Sequence, residues 1–365
     1  MSAALRTYPP GAVIGILGGG QLGRMTAQAA ARLGYKTHIY CQNAEEPAAQ
    51  VTNRVTLGAF TDANTLQQFA RQVDVITLEW ENVPVSAVTA LQEIAPVHPG
   101  AQVLDVAQHR VREKSYARGL GLGTADFVAV DTVEELKQAF VAWHAAPAIL
   151  KTCRMGYDGK GQVRLEASAD LAAAWQEVGG GQAILEALVP FREEISVIVA
   201  RRADGVTTAF PPVRNIHQNG ILAQTQAPAE LSPELTSEAV TAATKLAEGL
   251  QVIGLLAVEM FVLPQPNAAG QQVLINELAP RPHNSGHWTL DACATSQFEQ
   301  LVRAVCGLPL GAITPYGKAV MHNLLGDAVH DWPHWLASPN AHLHLYGKVE
   351  AKPGRKMGHV TVIQA

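Results

Sequence analysis

Apolar positions in the first hundred residues follow two rhythms. Ala12 to Leu17 is a short continuous apolar run, read as a buried strand. Gly18 to Gly23 is the turn that launches a helix reaching about Leu33, where Gly34 stops it. Lys36 to Tyr40 reads as a second strand, Thr65 to Gln72 as an amphipathic helix, and Val73 to Leu78 as a third strand. Strand and helix in alternation build a parallel sheet with helices on its faces. Pro96, Pro99 and Gly100 then punctuate the chain, and a charged helical stretch, Gln108 to Arg118, opens a second domain.

The rhythm is less regular there. Strand patterns occur at Asp126 to Val130, Ala148 to Leu150, Ala183 to Glu186, Ile195 to Ala200, Leu255 to Val262 and Val273 to Asn276. Helical patterns start at Val133 and run from Glu234 to Glu248, so this part is α+β. Pro309 to Pro315 marks another boundary, and the alternation in His342 to Tyr346 and His359 to Ile363 predicts a small β-rich tail.

Lys+Arg 27 against Asp+Glu 32 leaves a formal charge of -5, so no general basic field exists to hold a nucleic acid or an anionic membrane. Cys41, Cys153, Cys293 and Cys306 form no CxxC pair, which fits a reducing compartment. No stretch approaches the roughly 20 apolar residues of a membrane span. The expectation is a cytoplasmic protein without nucleic-acid or membrane partners.

Gly18-x-Gly20-x-x-Gly23 has dinucleotide-fold spacing, but the end of the second strand reads Tyr40-Cys-Gln-Asn43 and lacks the acid that would hold a ribose. Two readings stay open: an anion site for a substrate phosphate, with Gln21 and Arg24 nearby, or a turn needed for tight helix-strand packing. Glu79-Trp-Glu-Asn82 follows a parallel strand, where such sheets place their ligand crevice; the bland alternative is a solvated loop end.

Lys151 ends a strand and leads into Gly156-Tyr157-Asp158-Gly159-Lys160-Gly161-Gln162. The Walker order is absent, so a strand lysine and the amides of a mobile glycine flap would hold a polyphosphate; a solvated basic loop is the alternative. Glu186 ends another strand, where an acid on an exposed edge can contact a nucleoside. Glu259 lies within Leu255 to Val262, and Asn276-Glu277 ends Val273 to Ile275. Carboxylates among apolar neighbours need compensation, from a hard divalent cation shared with phosphate or from salt bridges, and antiparallel pairing would bring the two acids together. Ala279-Pro-Arg281-Pro-His283-Asn284-Ser-Gly-His287 suits a small anion. His283 and His287 have a zinc spacing, yet Pro282 and Gly286 imply a loop and no third ligand is evident. Lys348, Lys352, Arg355, Lys356 and His359 form either a solvated tail or a phosphate clamp.

The order of Lys151, the glycine flap, Glu186, Glu259 and Asn276-Glu277 resembles the ATP-grasp superfamily. Within it the chain is most similar to the N5-carboxyaminoimidazole ribonucleotide synthetase family of bacterial and fungal purine biosynthesis. The stretches that carry this are Gly18 to Met25, Gly156 to Gln162, Asn276 to Arg281 with His283 to Trp288, and Pro353 to His359. The resemblance implies an ATP-grasp fold: a Rossmann-like domain over 1–105, an ATP-grasp domain over 106–310 in two subdomains (about 106–190 and 191–310), and a β-rich domain over 311–365. It implies that ATP phosphorylates bicarbonate to carboxyphosphate, whose carboxyl group passes to the amine of 5-aminoimidazole ribonucleotide, and that the enzyme is a homodimer.

By the same resemblance Arg110, Lys151, Glu186, Val189, Glu194, His217 and Asn276 contact the nucleotide, with Gly156, Gly159, Lys160, Gly161 and Gln162 in the closing flap. Glu259 and Glu277 take Mg²⁺. Tyr157, Asp158, Arg281, His283 and Asn284 surround bicarbonate and carboxyphosphate, and Gln21, Glu79, Lys348 and Arg355 face the ribonucleotide. Cys153 departs from the pattern, standing where a second arginine is expected. Another ATP-grasp ligase, a non-catalytic nucleotide sensor and a nicotinamide oxidoreductase are the rival functions.

Overall fold

The computed structural model describes residues 6–156 and 158–364. At the start of the chain β1 (Val13–Leu17), β2 (Lys36–Cys41), β3 (Arg54–Leu57), β4 (Val75–Leu78) and β5 (Val97–His98) form a parallel sheet in the order β3-β2-β1-β4-β5. Helices α1 (Gln21–Arg32), α2 (Ala63–Ala70), α3 (Val85–Gln92) and α4 (Ala101–Ala107) accompany it. The expected alternation is present. β3 is an addition that the pattern did not reveal: four residues on an edge, largely exposed, leave little hydrophobic signal.

Helix α5 (Arg110–Gly119) opens the next region. There β6 (Phe127–Val130), β7 (Ala148–Thr152), β8 (Gln162–Leu165) and β9 (Ala183–Ala187) pair antiparallel in the order β6-β9-β7-β8. Helices α6 (Val133–Ala142) and α7 (Leu171–Glu177) back this sheet, and Leu136, Phe140 and Trp175 fill its core.

The larger sheet holds β10 (Glu193–Arg201), β11 (Thr207–Ala209), β12 (Val213–Gln218), β13 (Ile221–Ala227), β14 (Gly254–Val262), β15 (Val273–Ala279), β16 (Lys318–Leu325), β17 (Ala341–Leu345) and β18 (Lys356–Gln364). Its order is β15-β14-β10-β12-β13-β16-β18-β17, with β11 beside β10. The tail is β-rich as expected, but its strands continue the sheet of the preceding region through β13 and β16.

One face of this sheet is covered by α8 (Pro233–Gly249), capped by Ser232 with Pro233 at its first turn. Its buried Ala239, Ala243 and Leu246 pack in one core with Ile195, Val197 and Val258. On the site side Thr289–Ala292 forms the short α9, and α10 (Gln297–Val305) joins α1 in a shared core. Among the described residues no helix is long and apolar enough to cross a membrane.

Candidate functional site

Helix α5 carries charge into the interior. Arg110, Glu113 and Lys114 are spaced i, i+3, i+4 and so share a face; Glu113 and Lys114 are each only 1% exposed. Arg110 donates to Glu277 at 3.1 Å, Glu113 accepts from the Leu278 N–H at 2.7 Å, and Lys114 donates to the Asn276 carbonyl at 3.0 Å. Lys114 also lies 3.4 Å from Glu186, whose other oxygen is 2.8 Å from Lys151 on β7. Burial alone would raise the Glu186 carboxyl; Lys114 and Lys151 outweigh it and hold it below the usual range. One network thus joins β7, β9, α5 and β15, from Lys151 to Glu277.

That network corrects one expectation. β9 is an inner strand, flanked by β6 and β7, so Glu186 stands on no exposed edge and its carboxylate fixes two lysines. Sequence reasoning missed Glu113 and Lys114. Their spacing relative to Arg110 was the available signal, but a charged helix face ordinarily faces water.

The two candidate metal acids lie side by side. Ser196 on β10 is in register with Glu259 on β14, which is in register with Glu277 on β15. Beyond this pair the register shifts, leaving Asn276 as the extra residue of a bulge, a device that re-aims side chains. The Asn276 side-chain oxygen is buried and has no hydrogen-bond partner. Two carboxylates and an orphaned amide oxygen fit a hard divalent cation, which takes oxygen ligands. Both acids are also engaged within the chain, Glu277 in an ion pair with Arg110 and Glu259 hydrogen-bonded to His283 at 2.9 Å, so the cation reading and the internally paired reading coexist. Burial would raise the Glu259 carboxyl, yet the His283 hydrogen bond and the nearby His217 and Lys356 lower it to about 2.

Glu194 and His217 meet at 2.9 Å beside these acids. Val189 is half-buried in the turn between β9 and β10, its carbonyl accepting from the Phe191 N–H at 3.0 Å. The flap is anchored at both ends and at its tip. Arg110 reaches the Gly156 carbonyl at 3.5 Å, the Gly161 carbonyl accepts from Thr152 at 2.8 Å, and Gln162 pairs with Lys151. Lys160 is exposed on this turn and Tyr157 lies outside the described residues. Asp158 pairs with Lys356 of β18 at 2.8 Å. Gly159 meets Gly220 so closely that a Cβ on Gly220 would come within 2.9 Å of its Cα, at a positive φ of 76°. Cys153 is 2% exposed, and burial pushes its thiol up to about 11, which excludes a thiolate nucleophile.

The anion loop divides its side chains. Arg281 forms a two-pronged pair with Glu81, one contact at 2.7 Å, joining it to the end of β4. Asn284 and Asn323 exchange amide hydrogen bonds at 2.9 and 2.6 Å. His283 faces Glu259, whereas His287 is wholly buried against Gln297 at 3.0 Å, so the two imidazoles of the zinc spacing have separate partners.

The glycine turn holds an anion, but one belonging to the chain. A Cβ on Gly18 would lie 2.4 Å, and one on Gly20 2.2 Å, from the Glu79 carboxylate oxygens. The Gly20 amide bonds that carboxylate, which burial raises to about 7. Glu79 is therefore packed against the glycine turn rather than standing on a solvated loop end. Gln21 follows directly as the first residue of α1. Lys348 completes the group: burial and the neighbouring Arg355 lower its ammonium to about 8, against the pull of Glu79. Arg24 and Gln50 tie α1 to this tail, through bonds of 2.9 Å to each other and 2.8 Å to the Gly347 carbonyl.

Comparison with known proteins follows this layout. Family models match residues 12–108 (ribonucleotide synthetase preATP-grasp domain), 115–298 (ATP-grasp domain) and 319–365 (phosphoribosylaminoimidazole carboxylase C-terminal domain). The sequence is 48% identical over 357 residues to N5-carboxyaminoimidazole ribonucleotide synthase of Brucella melitensis, covering 97% of each chain. It is 46% identical to the bifunctional purine synthesis protein of Dictyostelium discoideum, of which it spans 37%. A crystal structure of an ADP complex of N5-carboxyaminoimidazole ribonucleotide synthetase superposes with a TM-score of 0.93 at 43% identity, over 98% of this chain and 94% of that one. The Aspergillus clavatus enzyme in complex with ADP and 5-aminoimidazole ribonucleotide does so at 0.89 and 29%, over 97% and 94%.

Proposed function

The chain belongs to the N5-carboxyaminoimidazole ribonucleotide synthase family, and from that membership we propose its reaction: ATP, bicarbonate and 5-aminoimidazole ribonucleotide give N5-carboxyaminoimidazole ribonucleotide, ADP and phosphate. It is an ATP-dependent carbon-nitrogen ligase of purine biosynthesis. The carrying observation is the network that links Lys151 through Glu186 to Lys114 and the Asn276 carbonyl, next to the paired acids Glu259 and Glu277.

Phosphoryl transfer is chiefly positioning and charge neutralisation, so no nucleophilic side chain is needed. Bicarbonate oxygen attacks the γ-phosphate and ADP leaves; carboxyphosphate then loses phosphate, and the freed carboxyl carbon is taken by the exocyclic amine, which gives up a proton. Lys151 and Arg110 lie beside the region of the nucleotide phosphates, and Glu186 with Lys114 keeps Lys151 in place. Glu259, Glu277 and Asn276 would hold Mg²⁺, which supplies charge neutralisation on the phosphates. Arg281, His283 and Asn284 border the bicarbonate side, and the flap with Tyr157 and Asp158 excludes water from the unstable carboxyphosphate. Glu79, Lys348, Arg355 and Gln21 serve the ribonucleotide, the cations facing its phosphate.

A cytoplasmic homodimer belongs to the same reading; Val55 and Leu57, 38% and 51% exposed on edge strand β3, offer a surface that a second chain could cover. The test is ADP release measured with and without 5-aminoimidazole ribonucleotide and with and without bicarbonate, repeated on Glu277→Gln. Release requiring both substrates and abolished in the variant is expected; release indifferent to the imidazole would assign a different ligase.

A further inference from the structure

His283 stands at the end of a hydrogen-bonded chain that crosses the interior of the large sheet. Thr225 on β13 donates to the Asn215 amide oxygen at 3.1 Å, and the Asn215 amide nitrogen donates to Ser196 at 3.0 Å. Ser196 lies 2.7 Å from Ser285, and Ser285 lies 2.8 Å from Nδ1 of His283. Nε2 of His283 is 2.9 Å from Glu259.

With Asn215 donating to Ser196, one arrangement uses every hydroxyl proton within the chain. A serine hydroxyl carries a single proton. Because Asn215 donates to Ser196, the Ser196 proton is left for Ser285, and the Ser285 proton for Nδ1. The backbone N–H of Ser285 is directed at the same Nδ1 from 3.4 Å. A ring nitrogen receiving donors carries no hydrogen, so Nε2 bears it and donates to the Glu259 carboxylate. All the bonds run one way, from Thr225 to Glu259, and each polarises the next.

The placement is costly without a purpose. Thr225 and Ser285 are fully buried, Ser196 is 1% exposed and Asn215 6%. Ser196 interrupts Ile195, Val197, Ile198 and Val199 on β10, where an apolar residue would need no partner. Its only direct hydrogen-bonding neighbours among the described residues are Asn215 and Ser285, so its polarity serves the chain.

We propose that Ser285 and Ser196, backed by Asn215 and Thr225, are positioning residues that lock His283 in the Nε2–H tautomer. The ring then turns a hydrogen-bond donor, rather than a lone pair, toward the Glu259 carboxylate and holds that carboxylate in one orientation. This assignment rests on the ligase reading above. Partners behind a functional histidine typically change activity by about 10- to 100-fold when removed. Ser285→Ala should lower kcat for ADP release by about that factor, with KM for ATP and for 5-aminoimidazole ribonucleotide nearly unchanged; Ser196→Ala should act in the same direction more weakly.

Nitrogen NMR of histidine-labelled full-length protein at mildly alkaline pH separates this from a role in folding alone, the His283 signals being identified by their loss in His283→Gln. The expected wild-type pattern is a single Nε2–H tautomer that becomes a mixture in Ser285→Ala. A wild-type Nδ1–H tautomer, or an unchanged tautomer in Ser285→Ala, would overturn the lock. ADP release that ignored the imidazole substrate would instead overturn the ligase reading while leaving the tautomer result standing.

Discussion

Arg281 and Glu81 show how much a single pair can hold. Their side chains are 17% and 19% exposed, they meet through two contacts, and they join the anion loop to the loop after β4. Burial would raise the Glu81 carboxyl, but the Arg281 guanidinium more than offsets it. Taking the charge from one partner of a buried pair leaves the other uncompensated, which costs about 3–5 kcal/mol. Glu81→Gln, nearly the same shape, should therefore lower stability by about that much in urea unfolding. A loss below about 1 kcal/mol would rank the pair with ordinary surface ion pairs. Arg281 was legible from its loop, whereas its partner lies 200 positions away, and nothing local distinguishes Glu81 from Glu79. Their environments do: one is paired with a guanidinium, the other is enclosed by glycines.

The flap, between β7 and β8, acts through the strand it touches. Its glycines were read as freedom to move; the structure adds what holds its tip, the Asp158–Lys356 pair and the Gly159–Gly220 contact. Lys356 begins β18, directly after Arg355, so under the proposed reaction the flap and a residue assigned to the ribonucleotide meet at one strand. Lys356→Met should release the tip and speed chymotryptic cleavage within residues 155–161 by about fivefold without nucleotide, the effect of roughly 1 kcal/mol in a part-exposed pair. Equal cleavage rates would assign the tip's position to the glycine contact alone. Strand positions in this region were legible because alternation and apolar runs are local. The pairing of Glu259 with Glu277 followed from antiparallel order, but the bulge at Asn276 and the inward face of α5 did not, since each depends on partners distant in sequence.

Long-range order also sets how the whole molecule responds to acid. Five buried or half-buried histidines, His38, His98, His287, His322 and His359, are held below their ordinary value near 6.5, each chiefly by burial; His38 and His98 fall to about 4. The unfolded chain takes protons on these rings at higher pH than the folded one, so their contribution to stability is present above 6.5 and is lost as pH falls toward their folded values. Two acids work the other way. Glu79, raised to about 7, and Glu113, raised to about 8, both by burial, are protonated in the fold before the unfolded chain binds protons near 4.5. His217, raised by Glu194 against its burial, takes its proton in the fold before the unfolded chain does. Between pH 6.5 and 4.5 the unfolded state thus gains protons on five rings while the folded state holds extra ones on two carboxyls, and stability must fall. The urea midpoint should drop steadily across that interval. A flat or rising midpoint would mean that the two acids outweigh the five histidines.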